Sequence, residues 1–201
     1  MKILCVSGNY QNFREPVETS SKLVFYMKPE TALIRENFPF FIPAFSDKPC
    51  AEAGLVIRIC KVGENIPVRF AHTYYDSVSV AMNFFAADLL DTLKANGHPW
   101  EAARSFDGSF PTGKFISIGK AGLSGEITYS FWRNKVEAGE ATSAGMILNF
   151  PEIVAGLSRY VMLKTGDLIY TGSGIQAIDV QAGDALEARL QGQSVLKVSI
   201  K

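Results

Sequence analysis

The sequence predicts a single α+β domain spanning residues 1–201, mostly β with a few short helices. Three observations point there. Apolar side chains fall on alternate residues over 53–60 and again over 127–132, the two-residue period of a strand. Gly-Asp pairs at 166–167 and 183–184 and the turn at 191–194 divide the C-terminal part into strands at 168–171, 185–190 and 195–200. Helical periodicity is confined to two stretches, 85–96 and 151–161.

Taken in order, residues 2–6 form a short apolar strand, and 8–15 a polar turn leading to a helical stub stopped at Pro16. Residues 24–27 read as a strand that delivers Lys28 just before Pro29. The residue before a proline is held extended, so the lysine side chain has a defined direction, toward a pocket. Residues 32–49 are loop-like, because Pro39, Pro43 and Pro49 exclude long regular elements. They carry the aromatic run Phe38, Phe40, Phe41 and Phe45, suited to seal a core or a subunit interface. After the strand at 53–60 come a charged turn at 61–67 and a second apolar strand at 78–84. The helix that follows, from residue 85 or 86 to 96, lines up Leu89, Leu90 and Leu93 and stops at Gly97. Beyond the strand at 127–132 lies a turn at Asn134-Lys135. Pro151 then suits the first position of a helix that buries Ile153, Val154, Leu157 and Val161.

Composition narrows the function classes. With 47% hydrophobic residues, 201 residues are enough for one domain with a full core. Twenty basic residues balance twenty acidic ones without a cluster of either, so nucleic acid and an anionic membrane surface are not expected partners. The first ten residues are too polar for a signal h-region and no apolar run approaches a membrane span, which leads to the expectation of a cytoplasmic protein. Cys5, Cys50 and Cys60 are widely spaced and lack a CxxC, as expected of buried thiols in a reducing compartment rather than disulfides or a zinc site.

Candidate chemistry gathers between Cys50 and Leu90. On the strand at 53–60, Ala53, Leu55, Ile57 and Ile59 make a core face, and Glu52, Gly54, Val56 and Arg58 make the other, read as the site face. Two carboxylates at 52 and 54 would form half an oxygen cage for a hard cation. Position 54, however, is glycine.

Short motifs identify the family. GNY at 8–10, KPETAL at 28–33, PWEAARSFDGS at 99–109 and GDLIYTGSG at 166–174 stand in the order found in the fumarylacetoacetate hydrolase family, and the resemblance runs end to end. It implies a mixed β-sheet roll of the family's catalytic-domain type, a homodimer, and a Mg or Mn ion held by Glu-x-Glu and a later aspartate against a 2-oxo acid. Here those three positions read Glu52, Gly54 and Asn83. The family's NY-x-x-His histidine is Phe13, and neither His72 nor His98 lies at a motif position. Its Arg-Asp-x-Gln helix start is Ala87, Asp88, Leu89 and Leu90, so a bidentate carboxylate fork is missing. A motif lysine is replaced by Arg104 ahead of Phe106 and Asp107, and a downstream glutamine by Ala138, while Thr142 and Met146 are kept. Ser173 retains the hydroxyl of the TGTP-type loop without the proline after it, which is expected to loosen that loop.

By this resemblance the chain keeps one metal carboxylate of three and no recognised base. It leads to the expectation of no metal cofactor, beyond weak residual binding at Glu52 and Asn83. Glu52 is the candidate catalytic residue. Lys28, Asn83, Arg104, Asp107, Thr142 and Ser173 are the candidates for binding a small 2-oxo carboxylate. The readings left open are a catalytically degenerate binding or partner subunit, an active hydrolase, decarboxylase or tautomerase using Glu52 with Lys28 or Arg104, and a neutral relic or interaction protein without pocket function.

Overall fold

A computed structural model describes residues 1–11, 23–34, 38–118 and 125–201. The expected helical stub before Pro16 and the Phe13 position lie outside the described residues. The strands are β1 (Ile3–Ser7), β2 (Val24–Lys28), β3 (Leu33–Ile34), β4 (Pro49–Ile59), β5 (Tyr75–Ala86), β6 (Phe110–Pro111), β7 (Ile116–Ser117), β8 (Thr128–Arg133), β9 (Val136–Thr142), β10 (Leu168–Tyr170), β11 (Ile178–Asp179), β12 (Ala185–Leu190) and β13 (Gln193–Ser199). The helices are α1 (Val68–Ala71), α2 (Ala87–Ala95), α3 (Glu101–Arg104) and α4 (Phe150–Leu157).

The large sheet runs β2-β1-β10-β4-β5-β7, with β11 added to the start of β4. It is mixed, since β1 and β10 are parallel and its other pairs antiparallel. A second, antiparallel sheet runs β13-β12-β8-β9. The α+β, mostly β class read from the sequence is the one observed. The sequence reading missed the one-turn helices α1 and α3 and the two-residue strands β3, β6, β7 and β11, all too short to show a period. It also missed β9, which is largely exposed and carries no apolar alternation.

The apolar alternation of β4 does what its period dictates. Ala51, Ala53, Leu55, Ile57 and Ile59 join the main core with Phe131, Leu186, Ala188 and Val198 of the second sheet. The opposite face is not an open site along its whole length. Val56 enters a second buried cluster with Ile3, Cys5, Tyr26, Ala81, Phe110, Leu168 and Tyr170. Glu52 and Arg58 are the only β4 residues not fully buried. This corrects the reading of one core face and one site face, because two apolar layers sandwich the strand and leave the site only its N-terminal end.

Helix α4 begins as its sequence requires. Asn149 accepts a bond from the Glu152 amide, the Glu152 carboxylate accepts one from the Asn149 amide, and Pro151 sits in the first turn. The aromatic run divides: Phe40 is buried and stacks on Phe84 with centroids 3.8 Å apart, whereas Phe38, Phe41 and Phe45 are exposed. Cys5 and Cys50 are buried free thiols as expected; Cys60 is free but only partly buried. No helix among the described residues is long and apolar enough to cross a membrane.

Candidate functional site

Parallel pairing of β1 with β10 sends both strands out at the same edge of the sheet, so the segments after them meet there. Such an edge is a natural place for a crevice. Asn9 clamps the two segments together. Its amide donates to Thr171 O and Leu148 O, both at 3.1 Å, and its Oδ1 accepts from the Leu148 amide at 2.8 Å. The asparagine of the GNY motif is therefore a brace. Above it opens a cleft of about 280 Å³ whose wall includes Ser7, Tyr10, Tyr26, Glu52, Arg104 and Ser173.

Antiparallel register places Glu52 directly across from Asn83. The Asn83 amide donates to Glu52 Oε1 at 2.7 Å and to the Tyr26 hydroxyl at 2.6 Å. Arg104, the last residue of α3, brings Nη1 to 3.5 Å from Glu52 Oε1 and donates to the Tyr26 hydroxyl at 3.3 Å. Its guanidinium lies 4.5 Å from the centre of the Phe85 ring and 5.4 Å from that of Tyr26, an aromatic seat suited to a planar cation. Burial opposes the Arg104 charge, but Tyr26 and Glu52 more than offset it and hold the group above its usual range. The side chains of Glu52 and Arg104 keep 19% and 15% of their surface exposed, enough to face a ligand. The hub of this network, Tyr26, was not singled out by sequence. The available signal was spacing: it sits two residues before Lys28, on the buried side of β2.

The remaining candidates divide by geometry. Lys28 is 1% exposed and does not line the cleft. Its ammonium donates to Ser109 Oγ at 2.7 Å, Phe84 O at 3.2 Å and Ser109 O at 3.3 Å, and burial lowers its pKa to about 7. Ser173 does line the cleft, but its hydroxyl lies 2.6 Å from Ala53 O and 2.7 Å from Ile175 O and accepts from the Ile175 amide at 3.0 Å. With one proton to give, it is committed to tying the loop onto β4. The Gly174 amide donates to the Tyr129 hydroxyl at 2.8 Å, so the loop is pinned despite its missing proline. Thr142 caps the short 3-10 turn Ser143–Gly145, and exposed Asp107 accepts from Thr31; neither lines the cleft. Asp88 accepts from Ser46 Oγ at 2.6 Å and the Asp47 amide at 2.8 Å, bonds that lower its pKa and hold the loop before β4.

Position 54 is closed. A Cβ built on Gly54 would lie 2.0 Å from the Gly172 carbonyl oxygen and 2.8 Å from the Tyr170 ring. The space a carboxylate would need is held by packed protein. The Tyr170 hydroxyl and Asn83 Oδ1 are buried without a partner among the described residues. Burial, then Glu52, raise the Tyr170 phenol well above its usual pKa, so it remains a neutral donor.

These donors do not fit a divalent ion. Among the described residues Glu52 is the one carboxylate at the cleft, a guanidinium stands beside it, and no three His, Cys, Asp or Glu side chains converge.

A strand-rich α+β domain with its cleft at the end of a parallel strand pair, and with Glu52 and Asn83 facing each other across β4 and β5, defines the class of protein. The family model described as fumarylacetoacetate (FAA) hydrolase C-terminal matches residues 2–201, and the chain belongs to that family. It is 28% identical over 201 residues to the mouse mitochondrial oxaloacetate tautomerase FAHD1, covering 99% of this chain and 91% of the relative. The Escherichia coli oxaloacetate tautomerase YcgM is 28% identical over 197 residues, covering 96% and 90%. Among solved structures, fumarylpyruvate hydrolase from Pseudomonas aeruginosa, in complex with Mn2+ and pyruvate, superposes with a TM-score of 0.91. At 24% identity, with 100% of this chain and 89% of that one covered, this likeness shows the fold.

Proposed function

We propose that this family member binds a small carboxylic acid of the 2-oxo acid type without a divalent ion and without rapid turnover. The observation that carries the reading is Arg104, whose Nη1 stands 3.5 Å from Glu52 Oε1 at the wall of the cleft. A fixed guanidinium is a bidentate carboxylate receptor. The cleft, at about 280 Å³, is of a size for an acid of a few carbons. Calorimetric titration with pyruvate and oxaloacetate in resin-treated, metal-free buffer tests it. A Kd on the order of 10⁻⁴ to 10⁻³ M is expected, equivalent to about 4 to 5.5 kcal/mol, and should be lost in Arg104→Ala. Absence of a binding signal up to tens of millimolar would refute the reading.

One observation favours a second reading: relatives named oxaloacetate tautomerases match 96–99% of the chain. Tautomerisation moves one proton, so Glu52 as the base and Arg104 beside the developing enolate would be a sufficient pair. Metal-independent enol-to-keto conversion above a protein-free control, abolished by Glu52→Gln, selects this reading over binding alone.

A further inference from the structure

We infer that the cleft prefers acids carrying a hydroxyl next to the carboxylate over the corresponding 2-oxo acids. The inference rests on the carboxylate-binding reading above and refines its ligand class: the same carboxylate seat takes 2-oxo acids weakly and their 2-hydroxy counterparts more tightly. Its basis is the pairing of a fixed anion with a fixed cation at one wall. Arg104 and Glu52 lie side by side, with 3.5 Å between Nη1 and Oε1. Asn83 supplies Glu52 Oε1 with a hydrogen bond from the inner side at 2.7 Å. Oε2 has no hydrogen-bond partner among the described residues, and Glu52 lines the cleft.

A ligand that places its carboxylate on Arg104 therefore brings the substituent on the next carbon up to the Glu52 carboxylate. An ionised carboxylate only accepts hydrogen bonds. A hydroxyl there donates to Glu52, forming a charge-assisted bond of the stronger kind. A keto oxygen also only accepts. It would face the Glu52 oxygen with nothing between them, and both groups would lose water without compensation. Asn83 and Ser173, which flank Glu52 on the strand and the loop, do not relieve this. Both Asn83 amide hydrogens go to Glu52 and Tyr26, and the Ser173 hydroxyl is committed to Ala53 and Ile175. Asn83 and Arg104 both approach Glu52 at Oε1, which leaves Oε2 as the acceptor toward the ligand.

The test compares matched pairs by calorimetry in resin-treated buffer: D- and L-lactate against pyruvate, and D- and L-malate against oxaloacetate. One enantiomer of each hydroxy acid should bind about tenfold or more tighter than its oxo partner, the range a donor to a charged acceptor provides. In Glu52→Gln the side-chain amide can donate to a keto oxygen, so the preference should shrink to near unity while binding persists. A thermal melt of the variant confirms that it is folded. Equal affinities, or tighter binding of the oxo acids in the unaltered protein, would overturn the preference and leave the carboxylate pocket standing. No binding of either member of a pair would overturn both.

Discussion

Glu52 and Gly54 sit two residues apart on the same face of β4, yet they stand in opposite surroundings. Around Glu52 the strand end is polar: Asn83, Tyr26 and Arg104 converge on it, and the cleft opens beyond. At Gly54 the sheet is sealed, with the Gly172 carbonyl and the Tyr170 ring where a side chain would begin. The contrast shows that a glycine on a buried strand leaves no hole. Interiors pack to near-crystalline density, so the volume a longer side chain would need is taken up by backbone and a neighbouring ring. What position 54 can hold is settled by packing, and what position 52 holds by electrostatics.

The sharpest way to break the comparison is to put a side chain back at position 54. Gly54→Ala forces backbone against backbone and should cost about 3 kcal/mol or more, with Gly54→Glu failing to fold. Urea denaturation measures it, and a change below about 1 kcal/mol would mean that the Gly172 loop yields freely.

The next effect is at the polar end. Asn83→Asp replaces the amide that donates to Glu52 at 2.7 Å by a second carboxylate. A like charge in place of a donor should destabilise the fold by about 2 kcal/mol at neutral pH and less in acid, where protonation restores a donor. Denaturation at pH 7 and pH 5 gives the two values.

Between the two ends lies the loop that closes one and lines the other. Removing its committed hydroxyl in Ser173→Ala should cost about 1 to 2 kcal/mol and leave carboxylate affinity within about twofold. A large loss of affinity with unchanged stability would instead make Ser173 a ligand contact.

The pH-dependent effect belongs to Lys28, whose pKa burial lowers to about 7. Between that value and its ordinary one near 10.5 the unfolded chain binds more protons than the folded one. Stability attributable to Lys28 therefore rises with pH across this window, by at most about 1.4 kcal/mol per pH unit. Above about pH 9 the buried Cys5 and Cys50 thiols, both raised to about 12, act in the opposite sense. Denaturation midpoints should climb from pH 7 to 9 and flatten in Lys28→Met.

Period and motif made the fold legible. Alternation over 53–60 placed β4 against the main core, and the helix at Pro151 was readable from its apolar face and first-turn proline. Within the site, Glu52, Asn83 and Arg104 were legible and do come together. What escaped were the contacts set by tertiary packing. Lys28 looked like a ligand lysine because the proline after it fixes its direction, but that direction leads to Ser109 and Phe84. Tyr26 and Tyr170 were not singled out, because spacing along a chain does not tell which hydroxyl meets which partner across the sheet. Gly54 read as a vacancy for want of any signal that Gly172 and Tyr170 close over it.

The central claim is that Arg104, not a divalent ion, supplies the positive charge beside Glu52. Equilibrium dialysis of the unaltered protein against Mn2+, followed by elemental analysis, tests it most directly. The account predicts no saturable site up to about 1 mM, since one carboxylate facing a guanidinium makes a poor cage for a hard cation. One Mn2+ per chain, retained after dialysis and lost in Glu52→Gln, would contradict it.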